Sequence, residues 1–354
     1  MTPARSKRAP RNRGLPLPLT YAPMEAQLVD ELPTGEEWQY EPKWDGFRCL
    51  AFRDGERVDL MSKAGKPLAR YFPDVVATMQ SLRAERFVVD GEIVVPVEGT
   101  LSFDELLLRI HPASSRVEKL SREHPAAFVA FDLLVDGKGE RLVERHLAER
   151  RKALEQWYRS TVPHGAAVWL SPAAHTMTAV KRWFRSVGGG LDGVVAKRLD
   201  QPYESGERAM RKMKQMRTAE CVVGGFRYAS RGKIVGSLLL GLYDDDGLLH
   251  HVGFTSSMKA AERAALTPKL EKLVKKPGFT GRAPGGPSRW STERSAEWEP
   301  LAPKLVVEVQ YDHFSGGRFR HGTSFLRWRP DKKPRQCTLK QVEQEGRSAL
   351  KLLA

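Results

Sequence analysis

A lysine amine that is to bond to phosphorus must be neutral, aimed and surrounded by groups that tolerate negative charge. Lys43, in the stretch Glu41-Pro42-Lys43-Trp44-Asp45-Gly46-Phe47-Arg48, is placed for such work. A proline precedes it and an Asp-Gly pair follows, so a turn at Asp45-Gly46 is expected to fix where the amine points. A lone K-x-D-G is weak, since average residue usage produces it by chance in about one chain in ten of this length. Its plain reading is a charge beside a hairpin. The downstream chain adds company in a fixed order: Ser62-Lys63-Ala64-Gly65, Asp90-Gly91-Glu92, Phe131-Asp132-Leu133, Asp192-Gly193-Val194-Val195-Ala196-Lys197, Lys212-Met213-Lys214 and Arg327-Trp328-Arg329-Pro330-Asp331-Lys332.

Each position has its own chemistry. Lys43 needs a depressed pKa to attack, and Lys212, Lys214 or a metal ion, with partial burial, are expected to provide it. Glu92, following a turn at the end of a strand, can accept both hydrogen bonds of a ribose diol. Phe131 alternates with core residues, so packing alone would explain it. Lys212 and Lys214 occupy alternate positions of a strand, share a face and can reach one phosphate together. Their plain reading is a pair of lysines that keeps a strand edge from aggregating.

Six Asp-Gly dipeptides punctuate alternating runs such as RVDLMS, RFVVDGEIVV and AFVAFDLLV, the pattern of antiparallel hairpins. Between them, LVERHLAERRKALEQWYRS and TAVKRWFRSVGGG carry helical apolar spacing, so the first part is mixed α+β. After Arg217 come about five short strands and the helical KAAERAALTPKLEKLVKK, which fit a small β-barrel of the OB type. A Gly, Pro and Ser-rich loop interrupts these strands over about 277–300. The 354 residues are enough for two domains. Cys49, Cys221 and Cys337 are too few and too far apart for a zinc module, and their sparse use suits a reducing cytoplasm. No stretch is apolar for long enough to span a membrane. The formal charge of +15 is clustered: the first 14 residues hold five basic residues and no acid, and RFRHGTSFLRWRPDKKPR holds seven against one Asp. A polyanion is the expected partner.

The ordered series resembles the covalent nucleotidyltransferases, and within them the ATP-dependent DNA ligases, specifically the short bacterial ligase C type. The matching segments are EPKWDGFR, VVDGEIVV, FVAFDLLVDG, LDGVVAK and FLRWRPDKKPRQCT, and the likeness runs from about residue 20 to near the end of the chain. The resemblance implies an α+β fold in which a basic flexible tail (1–18) precedes an adenylation domain of antiparallel sheets with flanking helices (19–217) and an OB-fold domain (218–354). It implies ATP and Mg²⁺ as cofactors, with Mn²⁺ as a substitute. Lys43 becomes the nucleophile that carries AMP, with Asp45 aiming it. Glu92 takes the ribose, Phe131 stacks on adenine, and Glu41 and Arg48 read the base edge and the ribose or phosphate. Lys197, Lys212 and Lys214 sit on the phosphate side. Asp192, with Glu92, is the metal position, although relatives usually have Glu where Asp192 stands. The shorter side chain leaves open whether it binds the ion directly or through water. Lys63 stands where many relatives have Arg, which keeps the charge but loses the bidentate fork toward ribose or a 5′-phosphate. Arg327, Arg329 and Lys332 fall in the motif that orients the pyrophosphate of ATP.

The activity so implied is sealing of nicked duplex DNA in repair, by a cytoplasmic monomer, alongside a gap-filling repair polymerase. An RNA ligase and an mRNA guanylyltransferase are alternatives from the same superfamily. NAD-dependent ligation is not expected, because a nicotinamide-binding domain ahead of the lysine and a four-cysteine module are both missing. A non-catalytic OB-fold protein that binds single strands through Trp290, Trp298 and Trp328 is the reading from another class. It leaves the lysine and carboxylate motifs unexplained.

Overall fold

A computed structural model describes residues 14–187, 190–285, 297–342 and 349–353. Most of the basic 1–18 segment, and Trp290, lie outside the described residues. The chain divides into two compact units, one made of residues 1–214 with 346–354, the other of residues 215–345.

In the first unit the strands are β1 (Ala26–Leu28), β2 (Trp38–Pro42), β3 (Phe47–Asp54), β4 (Arg57–Ser62), β5 (Arg86–Val94), β6 (Pro96–Val97), β7 (Thr100–Leu101), β8 (Ala127–Val135), β9 (Val168–Leu170), β10 (Gly193–Arg198) and β11 (Met210–Lys214). Helices α1 (Pro73–Ser81), α2 (Phe103–Leu108), α3 (Ser114–Glu123), α4 (Leu147–Thr161) and α5 (Met177–Val187) lie between them. Two main sheets result, ordered β1-β11-β10-β2 and β4-β3-β5-β8-β9, with β6 and β7 forming a small two-stranded sheet of their own. Most pairs are antiparallel, as the hairpin pattern implies, but β1 with β11 and β8 with β9 are parallel edge additions. Strand β8 is buried along its whole length, and its sequence AFVAFDLLV, apolar except for Asp132, suits a strand with neighbours on both edges and layers on both faces. Residues Phe128, Ala130 and Leu133 enter the main core with Phe72, Phe87 and Trp157, whereas Ala127, Val129 and Phe131 face the other way. Helix α4 begins at Leu147, later than the helical spacing alone implies, and buries Leu154 and Trp157.

Two of the Asp-Gly expectations are corrected. Asp90-Gly91-Glu92 is not a turn: it lies inside the nine-residue β5. Glycine is required at 91 because a Cβ there would run into the Phe128 ring and the Val129 carbonyl on the neighbouring strand. Nor does Asp45-Gly46 close a hairpin. Strand β2 pairs with β10, and β3 pairs with β4 and β5, so the connection that carries Lys43 crosses from one sheet to the other. Gly46 admits this crossing because a Cβ would strike the Ile93 carbonyl and Glu92 Cγ.

The second unit has β12 (Arg217–Tyr228), β13 (Val235–Tyr243), β14 (Leu249–Thr255), β15 (Glu299–Pro300), β16 (Val306–Tyr311), β17 (Phe314–Ser315), β18 (Arg318–Phe319) and β19 (Ser324–Trp328), with helix α6 (Ala260–Glu271). The main sheet runs β14-β13-β12-β16-β19, with β15 added to β12. Its core is built from Cys221, Val223, Leu238, Leu240, Val307 and Val309. The expected barrel does not close among the described residues. The outer strands approach each other through one parallel bridge, Thr255 with Thr323, because β19 is only five residues long and its ladder with β16 is broken by a register shift. The architecture is therefore mixed sheets with few helices.

Candidate active site

The face between the two sheets of the first unit encloses a cavity of about 230 Å³. Strands β1, β2, β10 and β11 contribute Ala26, Glu41, Val195, Lys197, Met210 and Lys212; the other sheet contributes Arg48, Glu92 and Phe131; Lys43 and Trp44 come from the crossing between them. Lys63 lines the cavity as well. Nine of the residues singled out from motifs in the first 214 positions thus converge, counting Lys43, Trp44, Glu41, Arg48, Lys63, Glu92, Phe131, Lys197 and Lys212.

Lys43 is fixed from both sides. Its backbone N–H donates to the Gly193 carbonyl at 2.9 Å, an extension of the β2–β10 ladder, which sets Asp192 opposite the side chain. The Lys43 ammonium then donates to Asp192 Oδ2. Here the expectation about Lys43 is corrected. Burial does pull the amine down, but the carboxylates of Asp192, Glu92 and Asp45 outweigh it and hold the ammonium above the ordinary lysine range. The depression falls on Lys212 instead, through burial and the charges of Lys43, Lys63 and Lys214.

Glu92 is the most displaced carboxyl of the site: burial pushes it up to about 8, against the pull of Arg48 and Lys43. Arg48 is held by a fork onto Asp90, with Nε and Nη2 each 2.6 Å from a carboxylate oxygen, and Nη2 also donates to the Met24 carbonyl at 3.2 Å. Asp90 has no exposed surface and accepts a further 2.6 Å hydrogen bond from the Tyr203 hydroxyl. Asp90 and Tyr203 were not anticipated as site residues. Asp90 was legible, being two residues from Glu92 on the same face of a strand; Tyr203 was not, since nothing local marks it.

Phe131 is 8 % exposed, with the Arg48 guanidinium carbon 4.6 Å and the Lys197 ammonium 4.7 Å from its ring centroid. Lys197, expected among the phosphate-side cations, lines the same cavity as Lys43 and Lys212. It is 4 % exposed and paired with Glu41 at 2.8 Å beside Phe131, because β10 and β2 pair in a register that puts the two side chains together. The same Glu41 accepts 2.8 Å from the Gln39 amide. Lys63 pairs with Glu25 at 2.9 Å, and that hydrogen bond holds Glu25 below the usual carboxylate range. Asp132, next to Phe131, is consumed by a buried fork from Arg150 on α4, at 2.9 and 3.0 Å. Its role is to tie β8 to the helix.

Arg327, Arg329 and Lys332 belong to the second unit. Arg327 donates to Glu308 at 2.6 Å, Lys332 pairs with Glu220 at 2.6 Å, and Arg329 pairs with Glu220 and Asp331. Glu220 and Glu308 therefore neutralise the cations of that motif within the unit, a partnership the sequence motif does not contain.

Mg²⁺ fits the donors present. Asp192, Glu92 and Asp45 all act on Lys43, and carboxylate oxygens suit a hard cation. No group of three or more His, Cys, Asp or Glu among the described residues could cage a metal by itself. A Mg²⁺ ion needs only one or two carboxylates when phosphates supply the rest.

Residues 23–214 match the family description "ATP dependent DNA ligase domain", and residues 231–332 match "ATP dependent DNA ligase C terminal region". The chain belongs to the ATP-dependent DNA ligases. It is 44% identical over 352 residues to DNA ligase C2 of Mycolicibacterium smegmatis, covering 95% of this chain and 98% of the relative. DNA ligase C of Mycobacterium tuberculosis is 41% identical, with 93% and 95% covered. Within the family the chain is thus of the ligase C type. A solved structure from a study of Lig E DNA ligases shares the fold at a TM-score of 0.50 and 19% identity, covering 87% of this chain and 99% of that one. No described helix is long and apolar enough to cross a membrane.

Proposed function

We propose that the chain seals nicks in duplex DNA through a lysyl-AMP intermediate on Lys43. The observation that carries this reading is the placement of Lys43 on the crossing between two sheets, where it lines a cavity with Glu92, Phe131, Arg48 and Lys212. The neutral Lys43 amine attacks the α-phosphorus of ATP, the N–P bond forms and pyrophosphate leaves. AMP passes to the 5′-phosphate of the nick, and the 3′-hydroxyl then displaces AMP.

The residues have distinct tasks. Asp192 accepts a hydrogen bond from the Lys43 ammonium and aims it, while Asp45 adds to the charge that holds it. Glu92 takes the ribose hydroxyls, Glu41 with Lys197 borders the base, and Phe131 stacks on it. Lys212 and Lys214 meet the α-phosphate, where a depressed ammonium such as Lys212 can still stabilise developing charge. Asp192 and Glu92 would hold Mg²⁺, which when bound neutralises phosphate charge. Arg327, Arg329 and Lys332 orient the leaving pyrophosphate. We read the second unit as an OB-fold domain and the native state as a cytoplasmic monomer acting in repair, with a gap-filling polymerase as its partner. The net charge of +15 supports a polyanionic substrate.

The test is intact mass after incubation with ATP. One adenylate should add to the wild type, be lost on adding pyrophosphate and Mg²⁺, and be absent from Lys43→Ala. A Lys43→Ala enzyme that still seals nicks with ATP would refute the assignment, and preferential labelling by GTP would favour a guanylyltransferase.

A further inference from the structure

The last described turn of the chain, Ala349–Leu352, belongs to the first unit although the second unit lies between them in sequence. Ala349 is 5 % exposed and joins a cluster with Trp44, Val129 and Phe131, against which Leu352 and Leu353 also pack. Leu352 touches a second cluster as well, with Val180 and Val187 of helix α5. These contacts fall on the face of β8 that points away from the main core, the face carrying Ala127, Val129 and Phe131. The cluster they join also includes Trp44, the immediate neighbour of Lys43, whose indole N–H is spent on Ser171 Oγ at 3.0 Å. Phe131 is the aromatic wall of the cavity.

We propose that residues 349–353 are a positioning element of the nucleotide site, a buttress that completes the apolar cluster holding Trp44 and Phe131 and so sets the shape of the pocket that Lys43 serves. The physical basis is packing: an apolar wall has one rigid position only when both its faces are filled. Removing the atoms behind it lets the wall relax toward the gap, and a shift of about 1 Å is enough to degrade positioning at a reacting centre. None of these residues reaches the cavity itself, so the effect is on the fit of the nucleotide and not on the bond-making groups.

This inference rests on the nucleotide reading of the cavity. The experiment uses the full chain carrying Leu352→Asp or Leu352→Met, and a chain ending at residue 345, with transfer of label from α-labelled ATP to the protein at varied ATP. For Leu352→Asp and the shortened chain, the KM for ATP should rise about tenfold, with kcat at saturating ATP within about threefold of wild type. Preference for ATP over GTP should narrow in the same variants, and Leu352→Met should restore wild-type values. Where the shortened chain fails to fold, as read by circular dichroism, the two point variants carry the test. An unchanged KM and unchanged nucleotide preference in Leu352→Asp would overturn the proposal, as would a loss confined to kcat. A wild-type protein that takes no label at all would instead overturn the lysyl-AMP reading, so the two failures are separable.

Discussion

Glu92 offers the sharpest perturbation of the site. Its carboxyl, pushed up to about 8 by burial, stays mostly protonated at pH 7 in the folded chain, whereas in the unfolded chain it ionises near the ordinary glutamate value of 4.5. A carboxyl raised on folding contributes stability that is fully present below about 4.5 and lost as the pH climbs through about 8. The part of this displacement that falls between pH 5.5 and 8.5 corresponds to about 3 kcal/mol. Because the side chain keeps partial contact with solvent, screening reduces this to on the order of 2 kcal/mol. Glu92→Gln removes the titration while keeping the shape, so wild type should lose that much stability relative to the variant across the window. Denaturant unfolding of both proteins at the two pH values measures the difference of differences. Nucleotide binding supplies a second reading: the variant should track wild type near pH 6, where Glu92 is neutral, and diverge above pH 8, where it is not. Parallel stability curves, or a Glu92 carboxyl resonance that titrates near 4.5, would refute the reasoning.

Three further outcomes are expected. Asp90→Ala strips both Arg48 and Tyr203 of their buried acceptor, and unfolding free energies should fall by about 3–5 kcal/mol; a loss under about 1 kcal/mol would mean that the fork is not structural. Asp192→Asn removes the main anion that holds the Lys43 proton, so the rise of single-turnover adenylation with pH should move to lower pH, and a rise that stays or moves upward contradicts the pairing seen here. If Arg329 and Lys332 take phosphate as proposed, Glu220→Gln frees them from a competing carboxylate, so the KM for ATP in adenylation should fall several-fold; an increase would show that Glu220 orients these cations instead of masking them.

How much of this was legible in sequence differs by residue. Lys43, Glu92, Phe131 and Lys212 could be assembled because each belongs to a short motif whose chemistry is local and whose order along the chain is informative. The crossing that carries Lys43 could not, because Asp-Gly reads the same before a hairpin and before a strand of a different sheet; only the pairing partners, β10 for one side and β5 for the other, distinguish them. Lys197 shows the same limit. Its position at the end of LDGVVAK is plain, but whether it faces phosphate or base depends on the β2–β10 register, which places Glu41 beside it. Asp90 and Tyr203 are separated by 113 residues, and Glu220 lies 109 residues from Arg329, distances at which no single-sequence pattern speaks. The barrel expectation rested on strand count, which says nothing about whether the outer strands meet.

The charge state of Lys43 ties these observations together. A lysine held below its ordinary range would be ready to attack at any time, including attack on adventitious electrophiles. The arrangement here does the opposite. Asp192 above all, with Asp45 and with Glu92 once it ionises, keeps the amine protonated, and the cation that feels the crowding is Lys212. Release of the proton therefore requires that the carboxylates be engaged elsewhere, and a divalent cation arriving with ATP is the partner their chemistry fits. On the proposed reading Asp192 is the controlling group, since it pairs with the ammonium and would also be a donor for the ion. Its short side chain, set opposite Lys43 by the backbone bond to Gly193, cannot serve both fully at once. That competition makes the nucleophile conditional on its substrate, and it predicts that Asp192→Glu, with one more methylene of reach, alters the metal concentration needed for adenylation more than it alters the rate at saturating metal.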